Sequence, residues 1–130
     1  MPTKPLISIV DDDPSVREGL MDLLTSMGFI AEAFPRAEDF LKSNRLQSTS
    51  CLITDVQMPG INGLELYKRL FSTGTIVPTI LITAFPKEKE RVRALQASVV
   101  CYLAKPVNEG ELLTCIRLAF KGRETDTTGS

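Results

Sequence analysis

Cys51-Leu52-Ile53-Thr54-Asp55, with Met58-Pro59-Gly60-Ile61-Asn62-Gly63 close behind it, decides how this 130-residue chain reads. A short apolar run bounded by Pro and Gly reads as a strand buried on both faces. Such strands belong to parallel sheets, in which ligands sit beyond the carboxyl ends. Asp55 stands at that end. By itself it also fits a turn residue that bonds its own backbone, so its meaning depends on what the rest of the chain brings to the same rim.

Working outward, Leu6 to Val10 is a second apolar run, and it ends in Asp11-Asp12-Asp13-Pro14. Asp13 before Pro14 signals an N-cap followed by a first-turn proline. Val16, Leu20, Leu23, Leu24 and Met27 then share one helical stripe that Gly28 can close. Phe29 to Phe34 reads as a strand that Glu32 interrupts, which suits a sheet edge. Residues 36–44 predict a short helix with Ala37, Phe40 and Leu41 inward, and Asn44 to Ser50 a polar connection. After Gly63, Leu66, Tyr67, Leu70 and Phe71 keep helical spacing until Gly74. Thr79 to Thr83 predicts a fourth strand. Residues 87–96 are mostly charged, with only Val92, Ala94, Leu95 and Ala97 to anchor them, so this helix should be weakly held. Val99 to Leu103 predicts a fifth strand running into Ala104-Lys105-Pro106, and Leu112, Leu113, Ile116, Ala119 and Phe120 stripe a last helix to about Gly122.

Five strands alternating with five helices specify an α/β fold, because parallel neighbours need helical crossovers. The expected architecture is a doubly wound, five-stranded parallel sheet in the order 2-1-3-4-5. It places the interrupted second strand at an edge and strands one and three beside the switch point where ligands bind. One domain over residues 5–122 and a polar, frayed tail over 123–130 account for the whole chain.

Composition narrows the function. Fifteen Lys and Arg against sixteen Asp and Glu leave a net charge of -1, so the domain has no broad basic field for nucleic acid. There is no histidine, which excludes a carrier of phosphohistidine. The three cysteines, Cys51, Cys101 and Cys115, sit in apolar runs without metal spacing and read as reduced core residues. No leader-like segment opens the chain and no stretch nears the roughly twenty apolar residues of a membrane span, so a cytoplasmic protein without membrane contact is expected.

In that topology Asp11 and Asp12 end strand one, Asp55 ends strand three, Thr83 ends strand four and Lys105 follows strand five. Three close carboxylates repel one another unless a cation intervenes, and an oxygen-rich set of this kind suits Mg²⁺. With Lys105 as ammonium and Thr83 as hydroxyl donor, the rim holds the parts that neutralise a transferring phosphoryl group. A carboxylate among them can be the nucleophile and form an acyl phosphate.

The pieces Ile9-Val10-Asp11-Asp12-Asp13, Thr54 to Gly63, Leu81-Ile82-Thr83-Ala84 and Tyr102-Leu103-Ala104-Lys105-Pro106 resemble, in order and spacing, the receiver domains of two-component response regulators. The likeness spans residues 5–121 and looks closest to the branch whose receiver precedes a LuxR-type DNA-binding domain. It implies that Asp55 takes a phosphoryl group from a histidine kinase, with Mg²⁺ held by Asp12, Asp55 and the backbone carbonyl of Gln57, and Asp11 acting through water. It implies that Lys105 and Thr83 contact the phosphoryl oxygens, that Tyr102 is the switch aromatic and that the peptide before Pro106 is cis. It further implies a homodimer formed on phosphorylation through the surface of the fourth helix, fifth strand and fifth helix, and an output in transcription. No enzyme activity is expected beyond self-catalysed phosphorylation and autodephosphorylation. Asn62, where the family usually has Asp, and Ser98, where it usually has glycine, depart from the pattern.

Two rivals carry less. An Asp-x-Asp phosphatase of haloacid-dehalogenase type finds its motif in Asp11-Asp12-Asp13 but leaves Asp55 unexplained. A receiver fold used only as a phosphorylation-independent interaction module does not need the acceptor Asp55 and Lys105, and both are present.

Overall fold

The computed structural model describes residues 5–127, with side chains as far as Lys121. Its strands are β1 (Leu6–Val10), β2 (Ile30–Phe34), β3 (Thr49–Asp55), β4 (Thr79–Thr83) and β5 (Cys101–Ala104). Its helices are α1 (Pro14–Ser26), α2 (Ala37–Lys42), α3 (Gly63–Ser72), α4 (Glu88–Gln96) and α5 (Glu109–Thr127). All pairings are parallel and the order is β2-β1-β3-β4-β5, as the alternation of elements predicts. The strand broken by Glu32 is indeed at an edge.

Alternation along the strands sends side chains to two faces. Ile7, Ile9, Cys51, Ile53, Ile80 and Ile82 join Leu20 and Leu24 of α1 and Leu112, Ile116 and Ala119 of α5 in one buried cluster. Leu52 packs with Phe40, Leu66 and Leu70 on the other face. Leu81 meets Tyr67, Ala94 and Val99 there. The sheet is thus a middle layer whose central strands β1, β3 and β4 are almost wholly buried, while the edge strands β2 and β5 are partly exposed. Asp13 caps α1 by accepting from the Ser15 N–H at 2.8 Å, with Pro14 next in the helix, and Gly28 closes it at φ 91°.

Several details differ from the sequence reading. β3 starts at Thr49, inside what reads as a polar connection, because the Thr49 hydroxyl is satisfied: it lies 2.7 Å from Ser8 Oγ and donates to the Arg45 carbonyl at 2.8 Å. A 3₁₀ turn over Leu46–Ser48 occupies the rest of that connection. Phe71, expected on the inner stripe of α3, is 60% exposed. β5 begins at Cys101 rather than Val99, since Ser98 takes a left-handed φ of 76° and closes α4 first. Helix α5 continues past Gly122 to Thr127 and so takes up most of the expected tail, whose residues 128–130 lie outside the described residues. The cysteine reading needs correction. Cys101 of β5 and Cys115 of α5 are joined in a disulfide with their Cα atoms 6.1 Å apart, because the α5 stripe lays Cys115 against the start of β5. Cys51 is buried in β3 and outside that bond.

Helix α4 is the weakly anchored element that its composition predicts. Only Ala94 is buried, while Val92 and Leu95 are 39% and 41% exposed. Few buried contacts leave such a helix among the least stable parts of a domain.

Candidate functional site

Sheet register assembles the site. Asp55 pairs with Ile82, and Thr83, the next residue of β4, pairs with Ala104, the residue before Lys105. Two backbone bonds fix the rim: the Val56 N–H donates to Ile82 O at 2.9 Å and the Lys105 N–H to Thr83 O at 2.8 Å. On the other side β1 delivers Asp11, fully buried, and Asp12, exposed. Carboxylate oxygens of Asp11, Asp12 and Asp55 all lie within 4.8 Å of one another. The Lys105–Pro106 peptide is cis.

Lys105 Nζ bridges two of the three acids, 2.9 Å from Asp11 Oδ2 and 3.3 Å from Asp55 Oδ2. The first contact is a short ion pair, and Lys105 is the one group found against the buried Asp11 Oδ2 among the described residues. The other oxygens are tethered. Asp13 N–H donates to Asp11 Oδ1 at 2.9 Å and Gln57 N–H to Asp55 Oδ1 at 3.2 Å. Burial, and then the charge of Asp11, push the Asp55 carboxyl above the usual range, and Lys105 and the Gln57 N–H offset this only in part. For Lys105, burial works downward but Asp11 and Asp55 outweigh it, and its pKa is raised.

A buried carboxylate oxygen that only Lys105 faces, beside two further carboxylates, is a donor set that fits a hard divalent cation, and Mg²⁺ above all. The excess negative charge calls for the same thing, since one ammonium faces three acids. Gln57, named for its carbonyl, stands two residues past the end of β3 and is held there by its N–H, which donates to Asp55 Oδ1.

Thr83 is buried, and its hydroxyl accepts the Phe85 N–H at 3.1 Å, so it is engaged by its own loop. Tyr102 lies within β5, three residues before Lys105. Its hydroxyl accepts the Lys87 N–H at 3.1 Å and donates to Glu90 Oε1, which ties β5 to the start of α4. Burial and the Glu90 carboxylate raise the Tyr102 pKa.

Three supporting residues escaped the sequence reading. Arg17 Nη1 donates to the Asp11 carbonyl at 2.7 Å and fixes the end of β1; its place one turn into α1 was the available signal. A Cβ at Gly63 would collide with the Asp55 carbonyl, so only glycine lets α3 start this close to the acceptor strand. Glu90 gave no signal at all, because its pairing with Tyr102 depends on how α4 docks. Asn62, the departure from the family's Asp, caps α3 by accepting the Glu65 N–H at 2.8 Å.

The profile of the response regulator receiver domain matches residues 7–117. The chain belongs to this family. As a receiver domain it is 38% identical over 116 residues to the response regulator protein TodT of Pseudomonas putida, aligning 89% of this chain with 51% of TodT. It is 34% identical over 124 residues to the transcriptional regulatory protein FixJ of Bradyrhizobium diazoefficiens, with 95% of this chain and 60% of FixJ covered. The structure of the response regulator StyR superposes with a TM-score of 0.84 at 39% identity, covering 97% of this receiver and 66% of StyR. The chain spans about half to three-fifths of the length of the curated relatives named here. Among the described residues no helix is long and apolar enough to cross a membrane.

Proposed function

We propose that this receiver domain takes a phosphoryl group from a histidine kinase onto Asp55 and answers by changing its α4–β5–α5 surface, with transcription as the output. The observation that carries the proposal is the Lys105 ammonium bridging Asp11 and Asp55 at the carboxyl end of the sheet. In the transfer an oxygen of Asp55 bonds to phosphorus while the bond from phosphorus to the donor's imidazole nitrogen breaks. Lys105 stays with the phosphoryl oxygens as their counter-charge. Thr83 can exchange the Phe85 N–H for a bond to one of those oxygens, and that exchange moves the loop leading to α4.

Asp11, Asp12, Asp55 and the Gln57 carbonyl are the groups that would hold Mg²⁺. When bound, the ion supplies charge neutralisation for the phosphoryl oxygens. The protein's own chemistry is limited to accepting and slowly losing the phosphoryl group, so it acts as a switch and not as an enzyme. A cytoplasmic setting fits a kinase partner, and homodimerisation on phosphorylation fits the exposed Val92, Leu95 and Leu118 of α4 and α5.

Intact mass after treatment with acetyl phosphate and Mg²⁺ tests the assignment. Wild type is expected to gain one base-labile phosphoryl group and Asp55→Asn none. Equal adducts on both proteins would overturn it.

A further inference from the structure

We propose that Cys101 and Cys115 form a redox-responsive staple which, when oxidised, holds β5 against α5 and opposes the switch. The bond closes a loop that contains Tyr102, Lys105 and the connection to α5, so it encloses both the aromatic tied to α4 and the ammonium of the site. The bond is present in the same arrangement in which the Tyr102 hydroxyl is held by the Lys87 N–H and Glu90. A cross-link made in one arrangement favours that arrangement over others. The staple therefore stabilises the resting surface.

The bond is placed for exchange. Cys101 lies on the edge strand β5 and is partly exposed, whereas Cys115 is 5% exposed, so Cys101 is the half of the bond nearer to solvent and the one expected to meet an external thiol first. Oxidation by a low-molecular-weight disulfide is balanced: the Cys101 thiolate displaces one thiol to give a mixed disulfide, and Cys115 then displaces the second. The two thiol protons leave with the two released thiols. Reduction by two such thiols is the reverse. In the reducing compartment proposed above a disulfide endures only as an exchangeable, regulatory link.

The inference rests on the phosphoacceptor reading for its effect but not for its chemistry, and the experiment separates the two. The protein is equilibrated in glutathione buffers of graded ratio, quenched with acid, denatured and alkylated. Of the three cysteines, only Cys51 is expected to be alkylated at the oxidised end and all three at the reduced end. Each oxidised and reduced sample is then titrated with beryllofluoride and Mg²⁺. The oxidised form should need several-fold more beryllofluoride for the same response in hydrogen exchange of α4. By reciprocity, saturating beryllofluoride should shift the thiol–disulfide midpoint toward the dithiol by the same factor. Cys101→Ala, which leaves the more buried Cys115 in place, should respond like the reduced wild type in every buffer. Three alkylated cysteines at all ratios, or identical beryllofluoride responses in both forms, would overturn the staple. A protein that exchanges its disulfide normally but binds no beryllofluoride would overturn the coupling by removing its phosphoacceptor premise.

Discussion

Lys105 Nζ stands 3.3 Å from Asp55 Oδ2, yet it is closer to Asp11, and the sharing leaves Asp55 under-compensated. Its carboxyl is shifted above 3.8, first by burial and then by Asp11. A carboxyl whose folded pKa is raised contributes stability that is complete below its unfolded pKa and is lost as pH rises through the folded value. Lys105, raised above 10.5, behaves likewise far higher on the scale: its contribution holds below 10.5 and is lost above.

The first prediction follows at once. In metal-free buffer Asp55→Asn should melt a few degrees above wild type at neutral pH, and the gap should narrow as the pH falls toward 3.8. Thermal denaturation across that range is the check. A gap of constant size would show that charge at Asp55 is not its source.

Mg²⁺ should reverse that ranking. At a hundred times its dissociation constant, a ligand of the folded state alone adds about 2.7 kcal/mol. Wild type is expected to gain on that scale, while Asp12→Ala, which removes one of the three clustered carboxylates, should lose most of the gain. Asp12 is exposed, so the substitution itself should leave metal-free stability within about 0.5 kcal/mol. A melting temperature that ignores Mg²⁺ in the wild type would remove the ion from the site.

Why the site was so legible comes down to where its parts lie. Asp11, Asp55, Thr83 and Lys105 each sit at or just past the end of an apolar run, and a parallel sheet gathers the ends of its strands whatever the loops do. Thr49 was misread because a hydroxyl in a strand looks polar until its partners, Ser8 Oγ and the Arg45 carbonyl, are seen. The Cys101–Cys115 bond and the Tyr102–Glu90 contact were hidden for another reason. Each joins elements whose mutual docking no local periodicity reports. Phe71 shows the limit of a stripe: it keeps helical spacing but falls at the rim of the buried arc.

Ser98 is the backbone's one non-glycine residue with positive φ among those described, at 76°. A side chain there costs about 1–2 kcal/mol, while glycine gives back roughly 0.5–1 kcal/mol through its freer unfolded state. The first term is larger. Ser98→Gly should therefore stabilise the domain by about 0.5–1 kcal/mol, read as a shift in denaturant midpoint without a change in slope. Destabilisation by Ser98→Gly would mean that the serine side chain makes up for the strain.

Two hydroxyls near the site are already engaged in the resting structure. Thr83 Oγ1 holds the Phe85 N–H, and Tyr102 holds Glu90 and the Lys87 N–H, so loop and helix α4 are kept in place by few bonds over few buried contacts. Only Ala94 anchors α4 in the core. If Thr83 leaves Phe85 for a phosphoryl oxygen, the loop shifts, and Tyr102 must break from Glu90 to follow. A hydrogen bond to a carboxylate is worth about 1.5–3 kcal/mol when buried, and partial exposure here reduces it to about 1 kcal/mol. Glu90→Gln should then raise the population of the switched state about fivefold, since 1.4 kcal/mol is a factor of ten. Thr83→Ala should act in the opposite sense: it keeps Asp55 and Lys105 and so should still be phosphorylated, yet dimerise poorly. Sedimentation velocity with graded beryllofluoride reads both variants. Glu90→Gln should dimerise at lower beryllofluoride than wild type and Thr83→Ala at higher, while the double variant should fall between them. If Glu90→Gln and wild type dimerise alike, the Tyr102–Glu90 bond does not restrain the switch. If Thr83→Ala dimerises as well as wild type, the signal from Asp55 reaches α4 by another route.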